Sequence, residues 1–185
     1  MQFLRAALTA IALGVALPAA AEDAAGPSVG HPLSSLCDMI CGGTWQPDHP
    51  AYPDEIRTSM TYGWDSASQT IKGRIVRSGG IAGIRQIFDI TYAYDPSNDS
   101  ITSTSVFDDA ASTRIEGQTN LTVTGKVMLS DTGFQTRFET TQTPGEVMIT
   151  AVQFETPDLW VQRSEIVGNG QSTLGAELRY ARNAE

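Results

Sequence analysis

The chain has 185 residues, with 12 lysines and arginines against 21 aspartates and glutamates, and a formal net charge of −9 at pH 7. This acidity argues against nucleic acid or an anionic membrane as the partner, because both would repel the protein. The length suits one domain with a sizeable core.

Residues 1–21 have the pattern of a cleavable signal peptide. Arg5 supplies a short positive region, residues 6–17 are apolar, and residues 19–21 form a small-residue cleavage site. We therefore expect a mature chain that begins at Glu22 and has about 164 residues and a net charge near −10. The apolar run is too short to span a membrane, and no later stretch approaches the required length. A short, alanine-rich signal is typical of bacteria and predicts a periplasmic location.

Two segments follow the predicted signal peptide. Residues 22–32 are rich in Ala, Gly, Pro and Ser and are predicted to form a flexible arm. Residues 33–185 are predicted to form a single domain. This domain begins with one or two helical turns over Leu33–Cys41, for which Ser34 or Ser35 is a possible N-cap.

Cys37 and Cys41 are the only two cysteines of the chain, and an oxidising compartment favours their pairing. At this spacing on a regular helix the Cα separation is near the upper limit for a disulfide. Pairing should therefore need a distorted turn, which Gly42-Gly43 could provide, and so short a loop should stabilise the fold only weakly. A redox or metal pair is the alternative. We favour the disulfide, because a metal needs more ligands and the only histidines are His31 and His49.

The stretch Gly42-Gly43-Thr44-Trp45 follows the helix and precedes a proline-rich loop over Pro47–Pro53. The two glycines let the backbone turn. The single large indole is suited to plug one end of a small β-barrel, where apolar side chains would otherwise face water.

From Ser59 onwards, runs rich in Thr, Val, Ile, Phe and Tyr alternate with turns that contain Gly, Asn, Asp or Pro. This pattern predicts ten strands: Ser59–Trp64, Thr70–Val76, Ile84–Tyr94, Ser100–Phe107, Thr113–Val123, Lys126–Ser130, Phe134–Thr141, Val147–Phe154, Leu159–Val167 and Glu177–Ala181. The predicted fold is an all-β, up-and-down antiparallel barrel with a short N-terminal helix. A β-sandwich is the alternative; we favour the barrel because closure removes the exposed sheet edges.

The third predicted strand has the clearest alternation of side chains. One of its faces carries Ile84, Phe88, Ile90, Tyr92 and Tyr94, and the other carries Arg85, Asp89 and Thr91.

A short helix, then Gly43-Thr44-Trp45, then a run of antiparallel strands resembles the calycin superfamily, which includes lipocalins, fatty-acid-binding proteins and avidins. The chain is most similar to a lipocalin-like bacterial family of unknown function, related to nitrobindin and fatty-acid-binding-type barrels. The segments Met60–Trp64, Ile71–Arg74 and Phe88–Pro96 match the middle of that family. The similarity extends over about Leu33 to Arg182.

The resemblance implies that Trp45 packs against a cation of the last strand, either Arg179 or Arg182, through a cation–π contact. It also bears on haem, which nitrobindin-like barrels hold through a late histidine. This chain has no histidine after His49, so neither haem nor another cofactor is expected.

No catalytic pattern stands out in the sequence, which lacks a Gly-x-Ser-x-Gly elbow and a glycine-rich phosphate loop. Asp108 and Asp109 could form a paired carboxylate in which one group raises the pKa of the other. An acidic strand end or turn is the favoured interpretation of this pair.

Aromatic and basic residues provide the candidate ligand site. Tyr62, Trp64, Phe88 and Tyr92 are predicted to line a cavity, although aromatic rings also fill solid barrel cores. Tyr94 and Trp160 could line the same cavity or lie at its rim.

Arg74 and Arg163 complete the predicted ligand set. If they point inward, they would suit a small anionic ligand, because a buried cation needs a counter-charge. If they point outward, they are surface charges, and this second interpretation is the one we favour.

The leading hypothesis is a non-enzymatic, periplasmic barrel that binds a small, hydrophobic or weakly anionic molecule in its interior. One alternative is a filled barrel with a structural role or with loops that bind another protein. Another is a barrel enzyme of the cyclase or isomerase type, which would need a buried acid–base pair. The sequence leaves the oligomeric state open.

Overall fold

The computed structural model describes residues 26–52, 54–113, 122–139, 145–168 and 171–183. Within these ranges, ten antiparallel strands form a closed barrel and one short helix precedes them. The predicted fold class is thereby confirmed, and the sandwich alternative is wrong because the sheet closes on itself. The predicted signal peptide lies outside the described residues.

The helix α1 spans Ser34–Ile40. The strands are β1 Thr44–Pro47, β2 Ile56–Asp65, β3 Thr70–Gly79, β4 Ile84–Asp95, β5 Ser100–Phe107, β6 Thr122–Ser130, β7 Gly133–Glu139, β8 Val147–Thr156, β9 Leu159–Gly168 and β10 Gln171–Asn183. Each of β2–β10 pairs with its neighbours along the chain, and β1 closes the ring between β2 and β10. No helix of the described residues is long and apolar enough to cross a bilayer.

The strand β1 was not among the predicted strands, because this segment has only four residues and ends in a proline. Its position is imposed by the closure of the barrel. Trp45 pairs with Met60 of β2 on one side and with Arg182 of β10 on the other.

The strand β6 corrects a second prediction. The sequence pattern predicts two strands at Thr113–Val123 and Lys126–Ser130, with Gly125 near the break. In the structure one strand runs from Thr122 to Ser130, while residues 114–121 lie outside the described residues. Gly125 lies inside the strand, where a Cβ atom would approach Phe138 Cδ1 to 2.7 Å. The glycine therefore makes room for an aromatic ring and does not end the strand.

The last strand is also longer than predicted. It extends over Gln171–Asn183, beyond the predicted Glu177–Ala181, and its register against β9 shifts between Leu174 and Glu177. This irregularity coincides with Gly175, a residue that weakens the strand pattern in the sequence.

The alternation predicted for β4 is seen in its pairing. Ile90 and Tyr92 are buried, and they face Gly73 and Ile71 of β3. Ile87 is buried as well, although it belongs to the opposite face. The segment after β5 runs beside it, since Ile87 N donates to Ser112 Oγ at 2.9 Å and Ile87 O accepts from Asp108 N at 2.9 Å.

The helix α1 closes one end of the barrel. Leu33, Leu36 and Ile40 share one side of the helix and are fully buried in the same core as Trp45. The predicted serine N-cap is wrong: Leu33 occupies the cap position and makes no side-chain cap bond. The Ser34 hydroxyl instead donates to His31 O at 2.7 Å.

The disulfide between Cys37 and Cys41 is confirmed, but the predicted distortion is not found. The two Cα atoms are 4.9 Å apart, within the usual range for disulfides, and Cys41 N still donates to Cys37 O at 2.8 Å. The chain leaves the helix at Cys41 and turns through Gly42 and Gly43, which have φ angles of +82° and +68°. The predicted role of the glycine pair in the turn is therefore correct.

Candidate ligand-binding site

Trp45 and Arg182 join the helix to the barrel. The Trp45 indole N–H donates to Ile40 O at 3.0 Å, and Arg182 donates to Met39 O at 2.6 Å and to Cys41 O at 3.4 Å. These carbonyls belong to the last two residues of α1 and to its C-cap, Cys41, where no intrahelical donor is available. Arg182 Cζ also lies 4.5 Å from the centre of the Trp45 ring, within cation–π range. The two side chains therefore cap the helix and fasten it to the barrel.

Of the two cations predicted for this contact, the structure places Arg182 on Trp45 and leaves Arg179 on the outer surface. Arg179 and Arg182 lie on opposite faces of β10, because side chains alternate along a strand and the two positions differ by three. Arg179 donates to Glu155 Oε1 at 3.1 Å, and its Nε lies 3.8 Å from Asp48 Oδ2.

The indole of Trp160 stacks in parallel on that of Trp45. The rings of Trp45 and Trp160 are 4.1 Å apart at an angle of 9°. Phe154 and Tyr180 meet Trp160 edge-on at 5.5 and 6.0 Å. Trp160 also lines the cavity described next, so this stack separates the filled end of the barrel from its hollow part.

A cavity of about 280 Å³ lies inside the barrel. Strands β2–β9 all contribute side chains to its wall: Met60, Tyr62, Ile75, Phe88, Ile90, Tyr92, Ser103, Ser105, Val123, Phe134, Thr136, Phe138, Met148, Thr150, Val152, Trp160 and Gln162. Most of these side chains are aromatic or aliphatic, and the polar ones are hydroxyls and one amide. The volume is near the lower limit of small-molecule pockets, which is about 300 Å³. The interior can therefore accept a small, largely apolar molecule.

Two buried phenols supply the titratable groups of this wall. Tyr62 and Tyr92 have ring centres 6.1 Å apart, and the Tyr62 hydroxyl donates to Met60 Sδ at 3.7 Å. Burial, together with the neighbouring phenols Tyr92 and Tyr180, raises the pKa of Tyr62 well above 10.0. Burial raises the pKa of Tyr92 to about 12, although hydrogen bonds with Ser103 and Tyr62 act in the opposite direction. Both phenols are therefore neutral hydrogen-bonding groups at neutral pH.

The predicted aromatic residues divide into two groups. Tyr62, Phe88 and Tyr92 line the cavity, as does Trp160. Trp64 does not: it packs at the α1 end, where its ring meets His31 edge-on at 5.0 Å. Trp64 follows Tyr62 at the next inward position of β2, toward the end that the helix has filled.

The two predicted cations lie outside the barrel, in agreement with the favoured interpretation, and neither belongs to the ligand set. Arg74 pairs with Asp89 at 2.9 Å and with Asp108 at 3.3 Å, and half of its side chain is exposed. Arg163 pairs with Glu177 at 2.7 Å, and its side chain is 61% exposed. In each case a carboxylate of a neighbouring strand or loop neutralises the charge on the outer surface. Neither arginine can contact a molecule inside the barrel.

A different row of polar residues lies on the inner register and was missed in the sequence. Arg77 pairs with Thr58 of β2 and with Gln86 of β4, so it follows Ile71 and Ile75 along the inward face of β3. Gln86 is only 5% exposed. The inward position of Arg77 could have been predicted from the sequence, since the alternation that directs Ile71 and Ile75 inward does the same for Arg77.

Asp108 belongs to a turn, in agreement with the favoured interpretation. Its carboxylate accepts from Ala111 N at 3.1 Å and pairs with Arg74. Within the described part of the chain, no group of three or more His, Cys, Asp or Glu residues is arranged to hold a metal ion.

A second groove, of about 450 Å³, lies between the β4–β5 turn and β6. Its lining mixes Tyr94 and Ile101 with the charged residues Asp99, Lys126 and Arg137. The interior cavity is the stronger ligand site, because its apolar walls converge from several strands.

Comparison with protein-family models and with curated proteins finds no match for this chain. The closed ten-strand barrel of the described residues is therefore established by the structure, and membership of the calycin superfamily stays a prediction.

Proposed function

We propose that the protein binds a small, mostly apolar molecule inside its barrel and catalyses no reaction on it. The observation that carries this proposal is the cavity of about 280 Å³ beyond Trp160. An apolar molecule in this space would leave water and contact aromatic and aliphatic side chains on all sides. Neutral phenols such as Tyr62 and Tyr92 could hydrogen-bond one polar group and fix the orientation of the ligand.

The same residues favour binding over catalysis. The titratable groups in the cavity wall are Tyr62 and Tyr92, and their raised pKa values keep them protonated at neutral pH. A neutral phenol can donate a hydrogen bond, but it is a poor general base. The described wall contains no carboxylate or imidazole that could accept a proton from a substrate.

We further propose that the protein acts in the periplasm. The signal-peptide pattern of residues 1–21 and the disulfide between Cys37 and Cys41 support this location. Fractionation of a bacterium that expresses the full chain should place the protein with periplasmic markers. Recovery with cytoplasmic markers would contradict the proposal.

Ligand binding can be tested with a neutral probe and a variant that fills the cavity. We expect 1-decanol to bind wild-type protein with one-to-one stoichiometry in native mass spectrometry and calorimetry. Ser105→Phe should weaken this binding at least tenfold, because Ser105 lines the cavity and the added ring would occupy it. The matched control is Thr104→Phe, on the outward register of the same strand. This control should bind as the wild type does.

The folding of each variant is checked by its cooperative thermal unfolding. If Ser105→Phe does not fold, Thr150→Ile provides a smaller substitution in the same wall. No binding of 1-decanol by the wild type, or equal binding by the filled variant, would contradict the proposal. The first result would favour a barrel with a structural or protein-binding role.

A further inference from the structure

Lys126 of β6 and Arg137 of β7 are direct register partners on the outer face of the barrel. Both side chains are exposed, whereas their neighbours along the chain, Val127 and Thr136, are buried. Opposed residues of antiparallel strands have Cβ atoms about 4.5–5.5 Å apart, and like charges at such positions destabilise a sheet. This basic pair, Lys126 and Arg137, therefore weakens the pairing of β6 with β7.

The other charged residues in direct register form pairs of opposite sign. Arg74 faces Asp89 across β3 and β4, and Arg163 faces Glu177 across β9 and β10. Each of these arginines forms an ion pair with the residue that it faces. Among the register partners of the described strands, the basic pair is the one place where two charges of the same sign meet. This exception is unexpected in a chain with 21 acidic and 12 basic residues.

The adjoining strands add no counter-charge. Thr102 is the partner of Lys126 on the other side of β6, and Ile149 is the partner of Arg137 on the other side of β7. Within the described ranges, no carboxylate oxygen lies within 4.0 Å of either cation. The donors of both side chains are thus available to an anion from outside the chain.

The basic pair borders the second groove, of about 450 Å³. Ile101, Met128 and Leu129 give this groove an apolar surface. Asp99 is the one carboxylate in its described lining, and Asp99 Oδ1 accepts from the Tyr94 hydroxyl at 2.8 Å. The groove therefore combines two positive charges and one negative charge with apolar contacts.

We infer that the second groove binds a phosphate monoester with a small apolar group. A phosphate ester carries a charge of about −2 above pH 7, so it would neutralise both members of the basic pair and remove their mutual repulsion. The planar guanidinium of Arg137 suits two phosphate oxygens, while the ammonium of Lys126 acts as a point charge. A carboxylate would offset only one of the two charges. The apolar residues of the groove would contact the organic part of the ester.

Calorimetry with phenyl phosphate at pH 8 and moderate salt tests this site. Wild type should bind one equivalent, and inorganic phosphate should bind more weakly because it lacks the apolar part. Lys126→Gln and Arg137→Gln should each weaken the binding of phenyl phosphate at least tenfold, because each removes a charge-assisted contact. Lys72→Gln is the matched control, since it removes the same charge from an exposed position of β3. This control should bind as the wild type does.

Two further variants test the chemistry of the groove. Arg137→Lys keeps the charge without the planar fork, so it should retain only part of the affinity. Asp99→Asn removes the negative charge from the lining and should strengthen binding about twofold. Asparagine also tolerates the positive φ angle of Asp99, +48°, so this variant should fold. Thermal unfolding checks the folding of every variant.

The interior cavity is separated from this site by competition. Saturating 1-decanol should leave the affinity for phenyl phosphate unchanged, because neither member of the basic pair lines the interior cavity. Competition between the two molecules would place the ester inside the barrel and overturn the inference.

Three other results would also overturn it. They are no binding of phenyl phosphate by the wild type, an equal loss of affinity in Lys72→Gln, and weaker binding by Asp99→Asn. The last result would mean that Asp99 holds a cationic group of the ligand. None of these results bears on the proposed function, which the binding of 1-decanol tests by itself.

Discussion

The barrel is filled at its α1 end and hollow beyond Trp160. At the filled end, Leu33, Leu36, Ile40 and Trp45 have no exposed surface, and the last carbonyls of α1 receive hydrogen bonds from Trp45 and Arg182. On the other side of the indole stack lies a cavity of about 280 Å³ with hydroxyls in its wall. The difference indicates that the α1 end stabilises the fold, while the part beyond Trp160 leaves room for a ligand.

The two stacked tryptophans show this contrast at atomic scale. The Trp45 indole N–H has an acceptor, Ile40 O, at 3.0 Å. The Trp160 N–H is buried and has no hydrogen-bond partner among the described residues. An unpaired buried donor costs about 1–3 kcal/mol, so Trp160 retains a cost that Trp45 avoids.

The largest expected loss of stability comes from truncating a buried side chain at the filled end. Trp45→Ala should lower the free energy of unfolding by about 3–5 kcal/mol, since it removes a fully buried indole. Chemical denaturation gives this value. Trp64→Ala is the matched control at the same end: its ring is only partly buried, so its loss should be clearly smaller. Equal losses would show that Trp45 is not the main support of this end.

A smaller loss of stability is expected when the phenols in the cavity wall ionise. The pKa of Tyr92 is raised from 10.0 to about 12 in the folded protein, so folding favours its neutral form. This stabilisation is fully present below pH 10 and is lost as the pH rises to about 12, a total of about 2–3 kcal/mol. Tyr62 acts in the same direction.

Denaturation at pH 8 and pH 11 measures about half of this loss, because pH 11 lies midway between the two pKa values. Tyr92→Phe should reduce the difference between the two pH values, because the phenol is gone. Tyr52→Phe, at a residue that is 64% exposed, should leave it unchanged. A wild-type stability that does not fall between pH 8 and pH 11 would contradict the burial of these phenols.

The smallest effect is expected from the disulfide. Cys37 and Cys41 close a loop of only a few residues, and loop-closure entropy at that length amounts to about 1–2 kcal/mol. The double variant Cys37→Ser and Cys41→Ser should lose this amount in chemical denaturation, and reductant should not destabilise it further. Its affinity for 1-decanol should remain unchanged, because the bond lies at the filled end. A change in that affinity would mean that the two ends are coupled.

Local patterns predicted much of the fold. The turn residues and the alternation around Ile90 and Tyr92 were enough to place most strands, and the resemblance led to the Trp45–Arg182 contact. The strand β1 was missed because its pairing with β10 depends on residues distant in sequence, which no local propensity encodes.

The candidate site was predicted less completely. Tyr62, Phe88 and Tyr92 line the cavity as expected, but whether a barrel is hollow depends on how the side chains of many strands fit together. The inward position of Arg77, however, could have been predicted from the sequence. Alternation from Ile75 leads to Arg77, whereas Arg74 is one residue away from the inward register.

The position of β1 has a consequence for how the molecule is made. Thr44 pairs with Asn183, so the ring of strands can close only after β10 has been synthesised. Contacts between such distant residues are slow to form, because the loop between them must be closed first. A nascent chain would therefore keep its barrel open until β10 leaves the ribosome, and this late closure fits the proposed export of the chain in an unfolded state.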